Sequence, residues 1–210
     1  MTIWDKIYQK YQKNGVAYAS LKSGLMPEFI NFVETNTFPI KKVLDIGCGT
    51  GKYLMFLKEK GFETGGIDSS PTAVEITKKN LRDNSDIRCI DMYEYALPIA
   101  TYDLVISIAT IHHGYKKQIR DLIKRLYLSL VDDGHFFITL PDNNGSLNWV
   151  MMANNKEIEP GTRIPLSGPE KGLPHSSFTQ EEIYEIFTDF KDVRTELLTS
   201  NSRWVITGSK

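Results

Sequence analysis

The stretch VLDIGCGTGKYL, Val43 to Leu54, decides the fold. A short apolar run carries a carboxylate at Asp45, and glycines follow at alternate positions: Gly47, Gly49 and Gly51. The next segment, GKYLMFLKEKG, reads as a helix, with Gly61 placed for a left-handed C-terminal cap. Such a strand–turn–helix unit brings bare backbone and a helix N-terminus to one point, which suits a nucleotide-like or anionic ligand. A dinucleotide fingerprint needs glycine at the first, third and sixth positions, whereas here bulky Lys52 stands sixth and argues against NAD or FAD. A phosphate loop needs a longer gap between its glycines and then Gly-Lys-Ser/Thr, and GCGTGKY has neither feature. A tight turn that holds no ligand stays open on these residues alone.

Working outward, FETGGID is a second strand ending at Asp68, and Ser70 with Pro71 starts the helix SPTAVEITKKNLRDN as N-cap and first helical residue. IRCIDM is a third strand ending at Asp91, and YDLVISIA a fourth. KKQIRDLIKRLYLSL places Ile119, Leu122, Ile123, Leu126 and Leu130 on one helical face, after which VDDGH turns into the strand FFITL. Upstream, PEFINFVE spaces Phe29, Phe32 and Val33 as a short amphipathic helix. Strands alternating with helices imply right-handed crossovers: a Rossmann-like, doubly wound, mostly parallel sheet with helices on both faces.

After Pro141 the rhythm breaks. Residues 142–178 are rich in Pro, Gly and Asn, only their middle reads as helical, and a segment of that length fits a substrate lid better than an idle connection. Order resumes with a capping box, Thr179 and Glu182, flanked by Phe178 and Ile183 as a hydrophobic staple. VRTELLT and RWVITG, separated by SNS, form an antiparallel C-terminal hairpin. The whole chain is expected to be a single domain: residues 1–36 an N-terminal helical cap, 41–141 the cofactor-binding core, 142–178 the lid, 179–210 a helix and hairpin.

Lys and Arg number 25 against 26 Asp and Glu, so the 210 residues carry a formal net charge of -1 and no overall field that attracts nucleic acid. Two cysteines, Cys48 and Cys89, give neither a disulfide framework nor a zinc-finger spacing and fit a reducing compartment. The N-terminus is polar throughout and no long apolar run follows, so a cytoplasmic protein with no membrane partner is expected.

Asp68 follows the first glycine by about twenty residues, the reach of a carboxylate that accepts from ribose hydroxyls. Asp68 and Asp91, each also readable as a helix cap or loop residue, would line the crevice at the carboxyl ends of the strands. VLDIGCGTG, GGIDSS, IRCIDM, YDLVISIATIHH and LVDDGHFFITLP, in this order, resemble the motifs of class I S-adenosylmethionine-dependent methyltransferases, over about Lys41 to Pro141. The resemblance implies a seven-stranded sheet with the final hairpin as its antiparallel edge, and S-adenosyl-L-methionine as cofactor. It implies that the backbone of Gly47, Cys48, Gly49 and Gly51 runs close to the donor's methionine part and ribose, with Asp45 helping to hold that end. Asp68 would take the ribose hydroxyls with Ser69 beside it, Asp91 the adenine amino group, Met92 the ring, and Ile108 would line the cleft near the methyl. ISIATIHH is also similar to the corresponding stretch of tRNA wobble-uridine methyltransferases.

Methyl transfer is an in-line displacement, so alignment carries much of the catalysis and a base is needed only where the acceptor must lose a proton. His112 and His113 follow the fourth strand and are candidates for acceptor contact or base, with structural packing as the plainer reading. Adjacent side chains are expected to diverge, which argues against a shared metal, and none is assigned. His175 in the lid is a further candidate, against a cap-proximal histidine, and His135 reads as structural. Trp4, Tyr8 and Tyr11 share a helical face suited to packing, yet in relatives of this fold the N-terminal segment closes over the donor, so Tyr11 and Tyr18 are candidates to line the site. Trp149, Met151 and Met152 suggest an apolar wall in the lid, and Arg163 an anchor for a carboxylate or phosphate. The leading function is methyl transfer to a small molecule. The alternatives are a tRNA-modifying enzyme, disfavoured by the missing basic surplus, and a non-catalytic protein that binds the donor.

Overall fold

The computed structural model describes residues 1–14, 24–38, 41–82, 85–145 and 154–210. Two N-terminal helices, α1 (Ile3–Asn14) and α2 (Pro27–Thr35), precede the alternating core. The core runs β1 (Lys42–Ile46), α3 (Lys52–Glu59), β2 (Glu63–Asp68), α4 (Pro71–Leu81), β3 (Asp86–Cys89), β4 (Tyr102–Ser107), α5 (Lys116–Ser129) and β5 (Leu130–Pro141). The short strands β6 (Asn155–Glu159), β7 (Thr162–Pro165) and β8 (His175–Ser176) follow, then α6 (Gln180–Ile186) and the hairpin β9 (Lys191–Leu198) and β10 (Arg203–Ser209).

One seven-stranded sheet has the order β3-β2-β1-β4-β5-β10-β9, parallel from β3 to β5, with β10 antiparallel to both β5 and β9. Reversal of strand order on either side of β1 makes the crevice at the β1 and β4 carboxyl ends a topological switch point. Because strand side chains alternate faces, the sheet feeds two separate cores. Leu44, Ile46, Val105, Phe136, Ile138, Trp204 and Ile206 pack with α5 and α6, against Ile119, Leu122, Ile123, Leu126, Phe178 and Phe187. Val43, Leu104, Ile106, Phe137 and Val205 pack on the opposite face with Phe29 and Val33 of α2 and with Leu54 and Leu57 of α3.

The expected end signals are present. Gly61 has φ 85°, and the amides of Gly61 and Phe62 donate to the Lys58 and Leu57 carbonyls, closing α3 as a Schellman motif. Ser70 Oγ accepts from the Ala73 amide at the start of α4, and Thr179 with Glu182 makes the reciprocal capping box of α6.

Two local expectations are corrected. VDDGH is not a turn before a strand: β5 takes in the whole of LVDDGHFFITLP, and Asp133, at φ 59°, absorbs a register shift against β4. The segment after Pro141 holds a three-stranded antiparallel sheet, β6-β7-β8, reversed at Gly161 with φ 76°. Strands this short carry too little alternation to be read as a pattern. The middle of that segment, with Trp149, Met151 and Met152, lies outside the described residues, as does Tyr18. Among the described residues no helix is long and apolar enough to cross a membrane.

Leu126 is fully buried between α5 and the sheet. Leu126→Ala should lower unfolding free energy by about 2–5 kcal/mol through lost burial and a residual cavity, read as a shifted urea midpoint at unchanged slope.

Candidate active site

A cleft of about 850 Å³ opens at the carboxyl ends of β1, β2 and β4. One side of it is built from the glycine turn. The amides of Gly47 and Cys48 donate to the Ile67 carbonyl at 2.8 and 3.0 Å, fastening the turn to β2. Asp68 then accepts from the Gly49 amide at 3.0 Å and from the Ser70 amide at 2.9 Å, so one carboxylate joins the turn to the start of α4. Asp5 of α1 accepts from Ser70 Oγ at 3.0 Å and from the Thr72 amide at 3.2 Å, seating the N-terminal helix over the same helix start.

The glycines have separate jobs. Gly47 has φ 79°, and a Cβ there would lie 2.1 Å from Thr110 Cγ2, so β1 and the loop after β4 meet only because that atom is missing. Gly51 has φ 77°, and a Cβ there would meet Thr77 Cγ2 at 2.8 Å. Gly51 does not line the cleft; it lets α3 and α4 pack closely, which corrects its expected place beside the ligand.

Two carboxyls are buried in this wall. Burial, helped by the charge of Asp68, pushes the Asp45 carboxyl up to about 8. Burial likewise pushes Asp68 up to about 6, against the opposing effect of the amides of Ser70 and Gly49. Paired buried carboxylates are costly when ionised, so this pocket attracts a cationic group that would offset them. Cys48 is buried, and burial holds its thiol well above the usual thiol range, leaving it a packing residue rather than a nucleophile.

The other side of the cleft begins where β4 ends. Ala109 adopts φ 57°, its amide donating to Thr139 Oγ1 at 2.8 Å, and the chain then folds into the turn carrying both histidines. The adjacent imidazoles do not diverge: the ring centroids of His112 and His113 lie 3.8 Å apart at 39°. Tight backbone curvature after Ala109 stacks them, which corrects the premise used against a shared ligand. β8 brings the third imidazole. The Ser176 amide donates to the His112 carbonyl at 2.9 Å, and Ser176 Oγ donates to the Gly114 carbonyl at 2.7 Å. His175 is thereby set 4.8 Å from the His113 ring and 5.8 Å from that of His112. Burial drives His112 and His113 well below the usual imidazole range, with neighbouring positive charges acting in the same sense, so both are neutral at pH 7.

Asp45, Gly47, Cys48, Gly49, Asp68, Ser69, Asp91, Met92, Ile108 and the three histidines all line the cleft, as expected from the sequence. Tyr11 does not; Trp4 and Tyr8 of the same helix do, and Trp4 meets His113 edge-on at 4.7 Å. A helix presents one face, and the turn carrying Trp4 and Tyr8 is the one α1 lays on the site. Arg163 is engaged inside the small sheet by Glu157 and Asn155, and Arg203 is the arginine of the cleft. Sequence reading missed Arg203 together with Glu170. The signal was present: β10 runs antiparallel, so its first residue, Arg203, pairs with Pro141 at the carboxyl end of β5. His135 packs against Phe32 and Phe38 on the far side and is structural.

Known proteins agree with this architecture. Residues 43–134 match the family model described as a methyltransferase domain. A bovine (Bos taurus) protein named probable tRNA methyltransferase 9B is 26% identical over 192 residues, 80% of this chain but 39% of that protein. The chain thus spans about two-fifths of the length of that relative. A crystal structure described as a SAM-dependent methyltransferase from Methanosarcina mazei superposes with a TM-score of 0.68 at 20% identity, covering 90% of this chain and 99% of that one. A protein from Pyrococcus horikoshii superposes with a TM-score of 0.72 at 19% identity, covering 96% and 98%.

Gly47→Ala should cost about 1–3 kcal/mol, from a strained φ and the clash with Thr110. Gly24→Ala, with nothing within 4 Å of the added atom, should leave the midpoint unchanged in the same denaturant titration.

Proposed function

We infer that this chain, which carries a class I S-adenosylmethionine-dependent methyltransferase domain, transfers a methyl group to a small-molecule acceptor. The observation that carries the acceptor class is the charge of the cleft. Its described lining holds four carboxyl groups, Asp45, Asp68, Asp91 and Glu170, against two basic side chains, Lys52 and Arg203, so the balance carries no positive surplus even with Asp45 protonated. Phosphate-rich nucleic acid needs the opposite balance at a contact surface. The volume, about 850 Å³, suits a nucleoside-sized donor with a modest acceptor.

The donor fits the wall described. Gly47 leaves no room for a side chain of its own, and Asp45 and Asp68 form a buried carboxyl pair whose ionisation a ligand bearing positive charge would favour. When bound, S-adenosylmethionine supplies an activated methyl on a sulfonium. Asp45 and the Gly47–Gly49 backbone hold the methionine end, Asp68 and Ser69 the ribose, and Asp91 with Met92 the adenine. Ile108 walls the space between donor and acceptor. His112, His113 and His175 face the acceptor, and the rings of His112 and His113, held neutral by burial, can accept its proton or a hydrogen bond. β7, β8 and the segment between them, through Pro165, Pro169 and Leu173, cover that end and keep water from the reacting atoms.

A second reading, methyl transfer to tRNA, is favoured by the name of the bovine relative. The two separate by experiment. With labelled donor, the chain should methylate members of a panel of small carboxylates, hydroxyls and amines, and bind tRNA no more tightly at low salt than at high salt. Salt-sensitive tRNA binding with label incorporated into RNA would replace the small-molecule reading.

The carboxyl pair sets a pH dependence. In the free protein Asp45 and Asp68 titrate at about 8 and about 6. A cationic ligand favours their ionised forms, so binding at neutral pH releases protons and affinity rises with pH up to about 8. Affinity for S-adenosylmethionine, which carries the sulfonium charge, should fall by up to about tenfold per pH unit between about 8 and about 6, with proton release visible by calorimetry in two buffers. Asp45→Asn should flatten the dependence between about 6 and about 8.

A further inference from the structure

We propose that His112, His113 and His175, with Glu170 beside His175, form a binding site for one divalent transition-metal ion of the zinc type, in the cleft wall that follows β4. One ligand atom from each of the three imidazoles lies within 4.8 Å of the others. The donor set of imidazole nitrogens and one carboxylate suits zinc and its neighbours, whereas calcium and magnesium prefer oxygen alone.

Each ring is presented as a ligand would be. His113 Nδ1 lies 2.8 Å from the Thr110 carbonyl, which can only accept, so the proton sits on Nδ1 and Nε2 carries the free lone pair. Metal-bound histidines are held this way, through the second nitrogen, by a backbone carbonyl. His112 Nδ1 is buried without a hydrogen-bond partner among the described residues, and so is His175 Nε2. Buried polar atoms are rarely left unpaired, and two in one cluster call for a common partner. Glu170 Oε2 lies 3.0 Å from His175 Nε2 yet lacks the alignment of a hydrogen bond. With metal–ligand bonds of about 2.0–2.2 Å, ligand atoms around one ion sit roughly 3.3 Å apart and point at the ion rather than at each other.

Charge is compatible. Arg203 lines the same wall and opposes a second cation, while Glu170 supplies a negative charge against both. The fold maintains the cluster without the ion, because Ser176 fastens β8 to the His112–Gly114 turn through main-chain acceptors. The purpose of the ion rests on the methyl-transfer reading: it would orient an acceptor oxygen or nitrogen toward the donor. Its existence does not, and can be measured without turnover.

The test uses the full, tag-free chain after treatment with a chelator, titrated with Zn²⁺ by calorimetry and with Co²⁺ by visible absorption. One Zn²⁺ per chain is expected, together with Co²⁺ ligand-field bands that Zn²⁺ abolishes. Loss of an outer-shell partner weakens metal sites by about 10–100-fold, so Glu170→Gln, which removes the carboxylate beside His175, should weaken Zn²⁺ by about 10–100-fold, and His175→Gln, which removes a ligand, by at least about 100-fold. His135→Gln, outside the cluster, should bind as the parent does. Each variant is checked for folding by the thermal shift that S-adenosylhomocysteine produces. Absence of stoichiometric Zn²⁺ binding, or binding unchanged in both cluster variants, overturns the site. A chain that binds Zn²⁺ as expected but shows no shift with the nucleoside keeps the metal site and loses the methyltransferase reading.

Discussion

The site depends on one buried carboxylate. Asp68 sits at the end of β2 and receives two main-chain amides, one from the glycine turn after β1 and one from the first residues of α4. Parallel strands alone bring their ends to a common edge, but leave the loops beyond them free to splay. Asp68 fixes two of those loops to one point, and Asp5 extends the clasp to α1. The same group is held in the ionisable state least suited to its surroundings, since burial pushes its carboxyl up to about 6. A bound ligand with hydroxyls and positive charge relieves that conflict, so scaffold and ligand recognition share a single side chain.

The opposite wall follows a different construction. Its three imidazoles come from two segments far apart in sequence and meet only because β8 adds its backbone to the turn after β4. Thr162 and Ser176 join their hydroxyls at 2.6 Å, binding β7 and β8 together behind His175. The Lys116–Glu182 ion pair ties the start of α5 to α6, and the Lys116 amide donates to Glu159 of β6 at 3.0 Å. The insertion is thus anchored to the core at several points beside the cleft, and variation along it can alter the acceptor chamber while leaving the donor wall as it is.

The parts legible in the sequence were those written in local chemistry. The apolar run of Val43, Leu44 and Ile46, the Ser70-Pro71 helix start and the Thr179–Glu182 box each specify an element within a few residues, and the elements formed as read. The spacing from Gly47 to Asp68 placed both residues at one crevice for the same reason. What could not be read depended on contacts between distant segments. The stacking of His112 on His113 arises from a left-handed residue at Ala109, and nothing about alanine announces that conformation. Arg203 reaches the crevice through the reversed direction of β10, and α1 lays Trp4 and Tyr8, not Tyr11, on the cleft.

The two walls differ in what they can contribute to a methyl transfer. As the methyl leaves, the positive charge on the donor disperses, so attraction from Asp45 and Asp68 is greatest before the reaction and weaker at the transition state. On the proposed reading, those carboxylates would tighten binding of the donor without lowering the barrier, and placed against the sulfonium itself they would raise it. They are therefore best directed at the parts of the ligand that do not react. Acceleration has to come from the acceptor wall, by alignment and by adjusting the nucleophile's protonation. That wall is where burial keeps His112 and His113 neutral and where Arg203 and Glu170 place opposite charges side by side. The division would leave the glycine turn and its carboxyls to binding, and concentrate the chemistry in the turn after β4 and the strand docked upon it.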